Sequence, residues 1–403
     1  MGTTRTIPPG GFVFTLDEDH ALAFCMENGV YGARLGSQPD RGYWHRTRIA
    51  ILADFGAMEA GDNVYFFRDR FIYGIGKMVR VGGDYRFDNF PGASQPSIFG
   101  YDEIRDGILV DSGPDSPRMR WLCTFQPAPY FFTEGVDMDD ALASRPEAFR
   151  MLRAMEGRSF VKLDHEENQA LKNVLLRVNQ DALREPVIEE NVYRDGSRDA
   201  HSRIARLSQL ADYHLDIGNV VATLPERSGG ALSQEYGLEA SLLEQLRSRE
   251  ARTTGVFGPW DYLSRQVIAS PFKPIKYADA MDIFGYRFID GHEPSVADFL
   301  IIENKKGCAR EPDVLQLMKY VDWVRDEYAQ NDYSSIKAFL VAHSFADGLL
   351  EYVEAVAKRY YTVFRRTPKS AVWNDLRLVR YRYDSGTTKV GVEIAAADRP
   401  RDD

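Results

Sequence analysis

The stretch from Ala280 to Tyr320 constrains this chain more than any other part. Residues 298–305 read Asp-Phe-Leu-Ile-Ile-Glu-Asn-Lys, an apolar, β-branched run that stops at Lys306-Gly307 and predicts a strand. Strand side chains alternate faces, so Phe299, Ile301, Glu303 and Lys305 share one side and Leu300, Ile302 and Asn304 the other. Glu303 and Lys305 then project together from a strand whose body is buried. A charge pair there needs a metal, water or each other to offset lost hydration. Asp282 opens a shorter apolar segment, 281–288, joined to the first by the loop 290–294. Antiparallel pairing of the two would set Asp282 beside Glu303, giving two hard oxygen donors of the kind Mg²⁺ or Mn²⁺ takes. Lys305 could then polarise water or neutralise charge on a phosphorane-like transition state.

Two helical patterns flank these strands. Residues 238–250 carry an apolar stripe of Leu238, Leu242, Leu243 and Leu246, and Glu239 lies on or beside it. A carboxylate turned towards a core is the one expected to do work, so Glu239 is the third candidate acid. Residues 312–328 put Val314, Leu317, Met318, Val321 and Val324 on one face, with Gln316, Tyr320 and Trp323 on the opposite flank.

Taken in order, Glu239-Ala-Ser-Leu-Leu, Met281-Asp282-Ile-Phe-Gly, Glu303-Asn304-Lys305 and Gln316-Leu-Met-Lys-Tyr320 resemble the PD-(D/E)XK nuclease superfamily. Among its branches the likeness is to the C-terminal domain of NucS-type and related restriction and repair endonucleases. It runs on through a strand at 336–343, a helix at 347–360 and a last strand at 376–383. No Pro precedes Asp282, and the interval between Glu239 and Asp282 reads as an insertion. The resemblance implies an α/β core, a mixed central sheet flanked by helices, and Mg²⁺-dependent hydrolysis of DNA phosphodiesters with Mn²⁺ able to substitute. It implies that Asp282, Glu303 and Glu239 ligate the metal, that Lys305 assists the water and that Gln316 positions water or substrate. A restriction or defence role, modification-dependent or not, and a repair role on modified or non-duplex DNA are both consistent with it. An RNA-directed nuclease and a catalytically inactive nucleic-acid-binding protein are the alternatives. Two copies would serve to cut both strands, so a homodimer is expected.

Composition narrows the class. With 403 residues, 44% of them hydrophobic, the chain can bury more than one core. A net charge of −10 is not that of a protein coating nucleic acid nonspecifically, although a local basic groove can sit on an acidic chain. Cys25, Cys123 and Cys308 are widely spaced and odd in number, against a disulfide framework or a zinc site. No leader or long apolar segment is visible, so a cytoplasmic location without membrane contact is expected. Neither a Ser/His/Asp triad, a phosphate-binding loop nor a dinucleotide fingerprint is present.

The first half has a different texture. Short β-like runs at 12–16, 48–55, 63–67, 71–79 and 121–125 fit a mainly β, small-barrel domain over residues 1–183. Gly61-Asp62-Asn-Val-Tyr-Phe-Phe followed by Phe71-Ile-Tyr-Gly74-Ile-Gly76 reads as a hairpin, its two glycines marking a bulge or a close backbone approach. This hairpin resembles those of the PUA/EVE-like barrels, which implies a nucleic-acid reader holding a modified or extruded base. Tyr43, Trp44, Arg46, Trp121 and Phe125 are the candidate cage and phosphate residues, with Arg68 and Arg70 at the hairpin tip. Residues 184–230, polar apart from a helical stretch at 202–215, are expected to be a linker with a bridging helix. Residues 231–403 would then be the nuclease domain.

Overall fold

The computed structural model describes residues 7–18, 20–35, 42–155, 157–184, 195–210, 213–227, 229–270, 279–363 and 366–395. The protein is a mixed α/β chain that divides into two compact units, one spanning Pro8–Thr223 and the other built on Leu224–Asp403.

The first unit is organised around β1 (Gly11–Thr15), β2 (Val30–Arg34), β3 (Asn63–Arg68), β4 (Phe71–Met78), β5 (Arg86–Asp88), β6 (Met119–Asp137) and β7 (Phe160–Leu163). They form one sheet in the order β2-β6-β4-β3-β1-β7, with β5 also on β6. β1 pairs parallel with β3 and antiparallel with β7, which explains its uninterrupted apolar run. β6 pairs with β2 and β5 over its first residues and with β4 over the rest. The sheet curls as a half barrel, consistent with a small-barrel domain.

The hairpin of β3 and β4 turns at Asp69-Arg70, both with positive φ (49° and 73°), as a two-residue turn requires. The ladder shifts register around Gly74 and Gly76. A Cβ on Gly74 would stand 2.7 Å from the Tyr65 ring, so close approach excludes a side chain there.

Two expectations fail in this unit. Residues 48–55 are not a strand but belong to the helix Arg46–Gly56, where Ile49, Leu52, Ala53 and Gly56 are buried. That spacing is helical, and the run of β-branched and aromatic residues within it concealed the period. The helix expected at 202–215 is Asp195–Leu207, and it packs within the first unit. Ile204 joins a cluster with Val30, Phe87, Leu122 and Tyr213, Ser197 Oγ donates to the Met26 carbonyl at 2.9 Å, and the His201 ring lies 2.9 Å from the Gly29 carbonyl. Residues 195–210 and 213–223 therefore pack inside the first unit, while 185–194 and 211–212 lie outside the described residues.

A buried acid makes this unit pH-sensitive. Glu167, in the helix His165–Val178, accepts the backbone N–H groups of Arg150, Met151 and Leu152 on Oε1, while its buried Oε2 makes no hydrogen bond. Burial, reinforced by Asp164, pushes its carboxyl up to about 8 from 4.5. The folded state therefore binds the extra proton between those values, and stability falls as pH rises from about 4.5 through 8. Urea unfolding between pH 5 and 8.5 should lose up to a few kcal/mol, a slope that Glu167→Gln flattens.

The second unit begins with the small hairpin β8 (Glu226–Arg227) and β9 (Ala231–Leu232), then the helix Glu235–Arg247 and the helix Ala251–Phe257. Its main sheet runs β10-β11-β12-β13-β16-β17. The strands are β10 (Tyr262–Ile268), β11 (Ala280–Phe288), β12 (Val296–Ala309), β13 (Ile336–Phe345), β16 (Leu376–Asp384) and β17 (Lys389–Ile394). A separate two-stranded ribbon holds β14 (Arg359–Thr362) and β15 (Ser370–Trp373). β11 runs antiparallel to β12, whereas β12, β13 and β16 are mutually parallel. The helix Glu311–Glu327 makes the crossover from β12 to β13 and buries Val314, Leu317, Met318, Val321 and Val324.

The interval between Glu239 and Asp282 is not an insertion: it supplies β10, which completes the sheet beside β11. The helix expected at 347–360 spans only Leu349–Val356, after which the chain turns into β14. Among the described residues no helix is long and apolar enough to cross a membrane.

Candidate active site

β11 and β12 pair with Ile283 opposite Ile302, which brings Asp282 alongside Glu303 and Asn304. Asp282 Oδ2 accepts the Asn304 backbone N–H at 2.7 Å, and its Oδ1 accepts the Gln266 side-chain amide at 2.9 Å. Glu303 is 2% exposed, and its Oε1 meets Lys305 Nζ at 2.7 Å. Its Oε2 is buried with no hydrogen-bond partner. Lys305 Nζ also lies 3.8 Å from Asp313 Oδ1, a carboxylate of the crossover helix. Strand alternation thus delivers Glu303 and Lys305 to one face, where they touch.

The electrostatics follow from crowding acids into a poorly hydrated place. Burial pushes Asp282 up to about 6, the Glu235 charge adds to this, and the N–H donors from Asn304 and Gln266 oppose it. Glu303 is pushed up to about 8 by burial and by the Asp282 charge, against the pull of Lys305. Burial alone would lower Lys305, but the acids around it, Glu303 first, hold its ammonium well above the usual lysine range.

The third acid is placed differently from the sequence reading. Glu239 is 1% exposed, and both its oxygens are held by Arg265 of β10, at 2.7 Å to Nε and 3.3 Å to Nη2. Glu235, one turn earlier on the same helix, accepts the Lys306 backbone N–H at 3.3 Å, and its charge acts on Asp282, Glu303 and Lys305. Gln316 donates to the Tyr320 hydroxyl at 2.7 Å. Burial raises that hydroxyl's pKa, and the charges of Glu303 and Asp282 raise it further. Gln316 and Tyr320 therefore belong to the same neighbourhood as the carboxylates.

Gln266 carries no sequence signal, yet it sits in a strand with φ 49°, a backbone state that disfavours side chains. The β10–β11 register runs from Arg265↔Ile283 to Val267↔Met281, leaving Gln266 beside Asp282 with its amide on the carboxylate. Were Asp282 to ligate a cation, its orientation by such a neighbour would be worth about 10–100-fold in metal affinity. Calorimetric Mn²⁺ titration without DNA should therefore show weaker binding by both Gln266→Ala and Gln266→Gly. The glycine variant keeps the backbone at ease, so its full affinity would assign the residue a backbone role only.

Among the described residues no group of three or more His, Cys, Asp or Glu side chains forms a ready-made metal cage. Mg²⁺ does not need one, since it keeps several waters and is held by one or two carboxylates. Asp282 and Glu303, with the orphaned Glu303 Oε2, fit that demand.

The candidate reader residues divide by burial. Trp44, Trp121 and Phe125 are 3%, 0% and 1% exposed and belong to the core of the first unit. Trp44 and Trp121 point their indole N–H groups at the Ser94 carbonyl and hydroxyl, and Phe125 packs its edge on Phe66. None presents a face for stacking. Tyr43 and Arg46 are exposed, Arg68 lies against Asp69, and Arg70 is engaged by Asp137 and Asp139. The five cage residues form no cage here. Instead a cavity of about 600 Å³ opens where β1 ends, between Thr15, Asp17, Phe24, Tyr31, Arg34 and Phe160.

No protein-family model matches the chain, and no curated protein matches it. Among solved structures it is similar to the crystal structure of a repair endonuclease from Pyrococcus abyssi. The identity is 25% over 23% of this chain and 33% of that one, with a TM-score of 0.16, so the match spans about a third of that protein. A match of that extent and score fixes neither fold nor activity.

Proposed function

We propose that the second unit is a PD-(D/E)XK-type nuclease that hydrolyses phosphodiester bonds of DNA with a divalent cation. The observation that carries this is the pairing of Asp282 with Glu303 on adjacent strands, with Lys305 two residues on and in contact with Glu303. One buried Glu303 oxygen is left open, and burial and the Asp282 charge raise the proton affinity of Glu303.

In this reading Asp282 and Glu303 hold Mg²⁺ or Mn²⁺, with Glu235 rather than Glu239 as the helix acid beside them. When bound, the cation supplies Lewis acidity for the attacking water and the phosphate oxygens. The chain's own groups do the rest. Gln266 and the Asn304 N–H fix the Asp282 carboxylate, and Lys305 offers a preorganised ammonium to the charge that develops on the phosphoryl oxygens. Gln316, steadied by Tyr320, is placed to orient water or substrate from the crossover helix.

The first unit is read as a nucleic-acid reader whose ligand site is the cavity at the end of β1, lined by the rings of Phe24, Tyr31 and Phe160 and by the charged groups of Asp17, Glu18, Arg34 and Arg158. That chemistry suits a flat heteroaromatic base presenting hydrogen-bond donors. A restriction or repair role follows according to whether modification governs cutting.

The test is Mg²⁺- and Mn²⁺-dependent cleavage of unmodified and modified-base phage DNA, single-stranded DNA and RNA by the purified chain. Cation-dependent cutting of DNA supports the nuclease, and preference for modified DNA supports the reader. Absence of cleavage on every substrate by folded protein would leave a binding protein.

A further inference from the structure

The ribbon of β14 and β15 is used by nothing in the site described above. Arg359 pairs with Trp373, Tyr360 with Val372, Tyr361 with Ala371 and Thr362 with Ser370. Alternation separates its side chains into two faces. One face is anchored: Trp373 Nε1 donates to the Ile336 carbonyl at 2.9 Å, Tyr361 and Trp373 both pack on Tyr333, and Arg359 grips Asp322 through two hydrogen bonds of 2.8 and 2.9 Å. The other face holds Lys358, Tyr360, Thr362, Ser370, Val372 and Asn374, all exposed, with Tyr360 at 74%.

The chemistry of that outer face is uniform. Between Lys358 and Arg377 the sequence has six basic residues against one acid, Asp375, in a chain whose net charge is −10. Arg359 and Arg377 are committed to Asp322 and Asp375. Lys358, Arg366 and Lys369 are exposed and have no carboxylate partner among the described residues.

An open tyrosine, short hydroxyl and amide side chains and unneutralised cations make a surface for phosphates and bases. A protein interface of ordinary size would want more apolar area than Tyr360, Val363 and Val372 supply. A two-stranded β-ribbon also has the width to enter the major groove of duplex DNA.

We propose that the β14–β15 ribbon is a duplex-DNA contact, with Arg366 and Lys369 on phosphates and Tyr360 against a base or sugar. The partner's identity rests on the nuclease reading, but the surface is independent of the carboxylate site.

The test is fluorescence anisotropy of a labelled 30-bp duplex with full-length Lys305→Ala protein, with and without Tyr360→Ala/Arg366→Ala/Lys369→Ala, across a salt series. The ribbon variant should lose about tenfold or more in affinity, and its salt slope should be shallower by about two. Photocrosslinking from 5-iodouracil duplex should map to Tyr360 in the protein with the native ribbon, a readout immune to misfolding of the variant. Unchanged affinity and slope, crosslinks confined to other segments, or no duplex binding by the Lys305→Ala parent would overturn the proposal. So would a change in sedimentation of the ribbon variant with DNA binding intact, since that marks a contact between copies. Ribbon-dependent binding by a wild-type protein that cuts nothing would keep the ribbon and sink the nuclease instead.

Discussion

Asp282→Asn is expected to lower cation-dependent cleavage by about 10³-fold or more while leaving the protein folded. In the proposed site the carboxylate would supply one of two charged oxygen donors, and loss of a metal's contribution is worth several kcal/mol at about 1.4 kcal/mol per tenfold. The amide can keep both local hydrogen bonds: its oxygen accepts the Asn304 N–H, and its NH₂ meets Gln266 once that side chain turns its own oxygen inward. Stability should hold or rise, because a buried acid beside Glu303 and Glu235 costs the folded state through desolvation and like-charge repulsion. Lys305→Ala should lose about 10²–10³-fold, the scale of one preorganised donor at a developing charge. Single-turnover cleavage beside urea unfolding measures both quantities. Cleavage by Asp282→Asn within tenfold of the parent protein would remove Asp282 from the site, and a collapse of stability would make it structural.

How much of this site could be read from the letters depends on how local the information is. That Asp282, Glu303 and Lys305 stand together was legible because alternation on a strand is a local rule, and the pairing of β11 with β12 follows from a short connection. The helix acid was not. The reading began its helix at Leu238, whereas the helix starts at Glu235, and those three residues hid the carboxylate that lies by Lys306. It also took Glu239 as the third acid, whereas the structure pairs that carboxylate with Arg265, on a strand that looked like an insertion. A buried carboxylate is most simply explained by a buried cation, and only tertiary structure says where the cation is.

The same limit shaped the fold. The strands at 63–68, 71–78, 280–288 and 296–309 carry clear patterns, and the glycines at 74 and 76 announced the register shifts seen in β4. Residues 48–55 misled because β-branched and aromatic residues suggested a strand, although burial at 49, 52, 53 and 56 keeps a helical period. The ribbon was missed because the apolar helix before it was carried too far, to Tyr360.

Trp121→Ala tests the largest misplacement of all, the aromatic cage. Trp121 is fully buried, with its ring 5.8 Å from Trp44 and 6.1 Å from Phe55, and its indole N–H on Ser94 Oγ. Truncation leaves a cavity in close-packed surroundings and takes the indole donor from Ser94 Oγ, which still donates to Asp88, a loss of about 3–5 kcal/mol. Against a domain stability of about 5–15 kcal/mol, that takes about a fifth of the total or more. Tyr43→Ala, at a residue 47% exposed, should change stability by less than about 0.5 kcal/mol. A cage tryptophan would behave the other way round: open in the free protein, cheap to truncate, and costly only in base binding. Urea unfolding of the full chain with each variant separates the two cases. Parent-like unfolding of Trp121→Ala together with lost binding to modified DNA would return Trp121 to a ligand site. The expected early unfolding fixes it in the core.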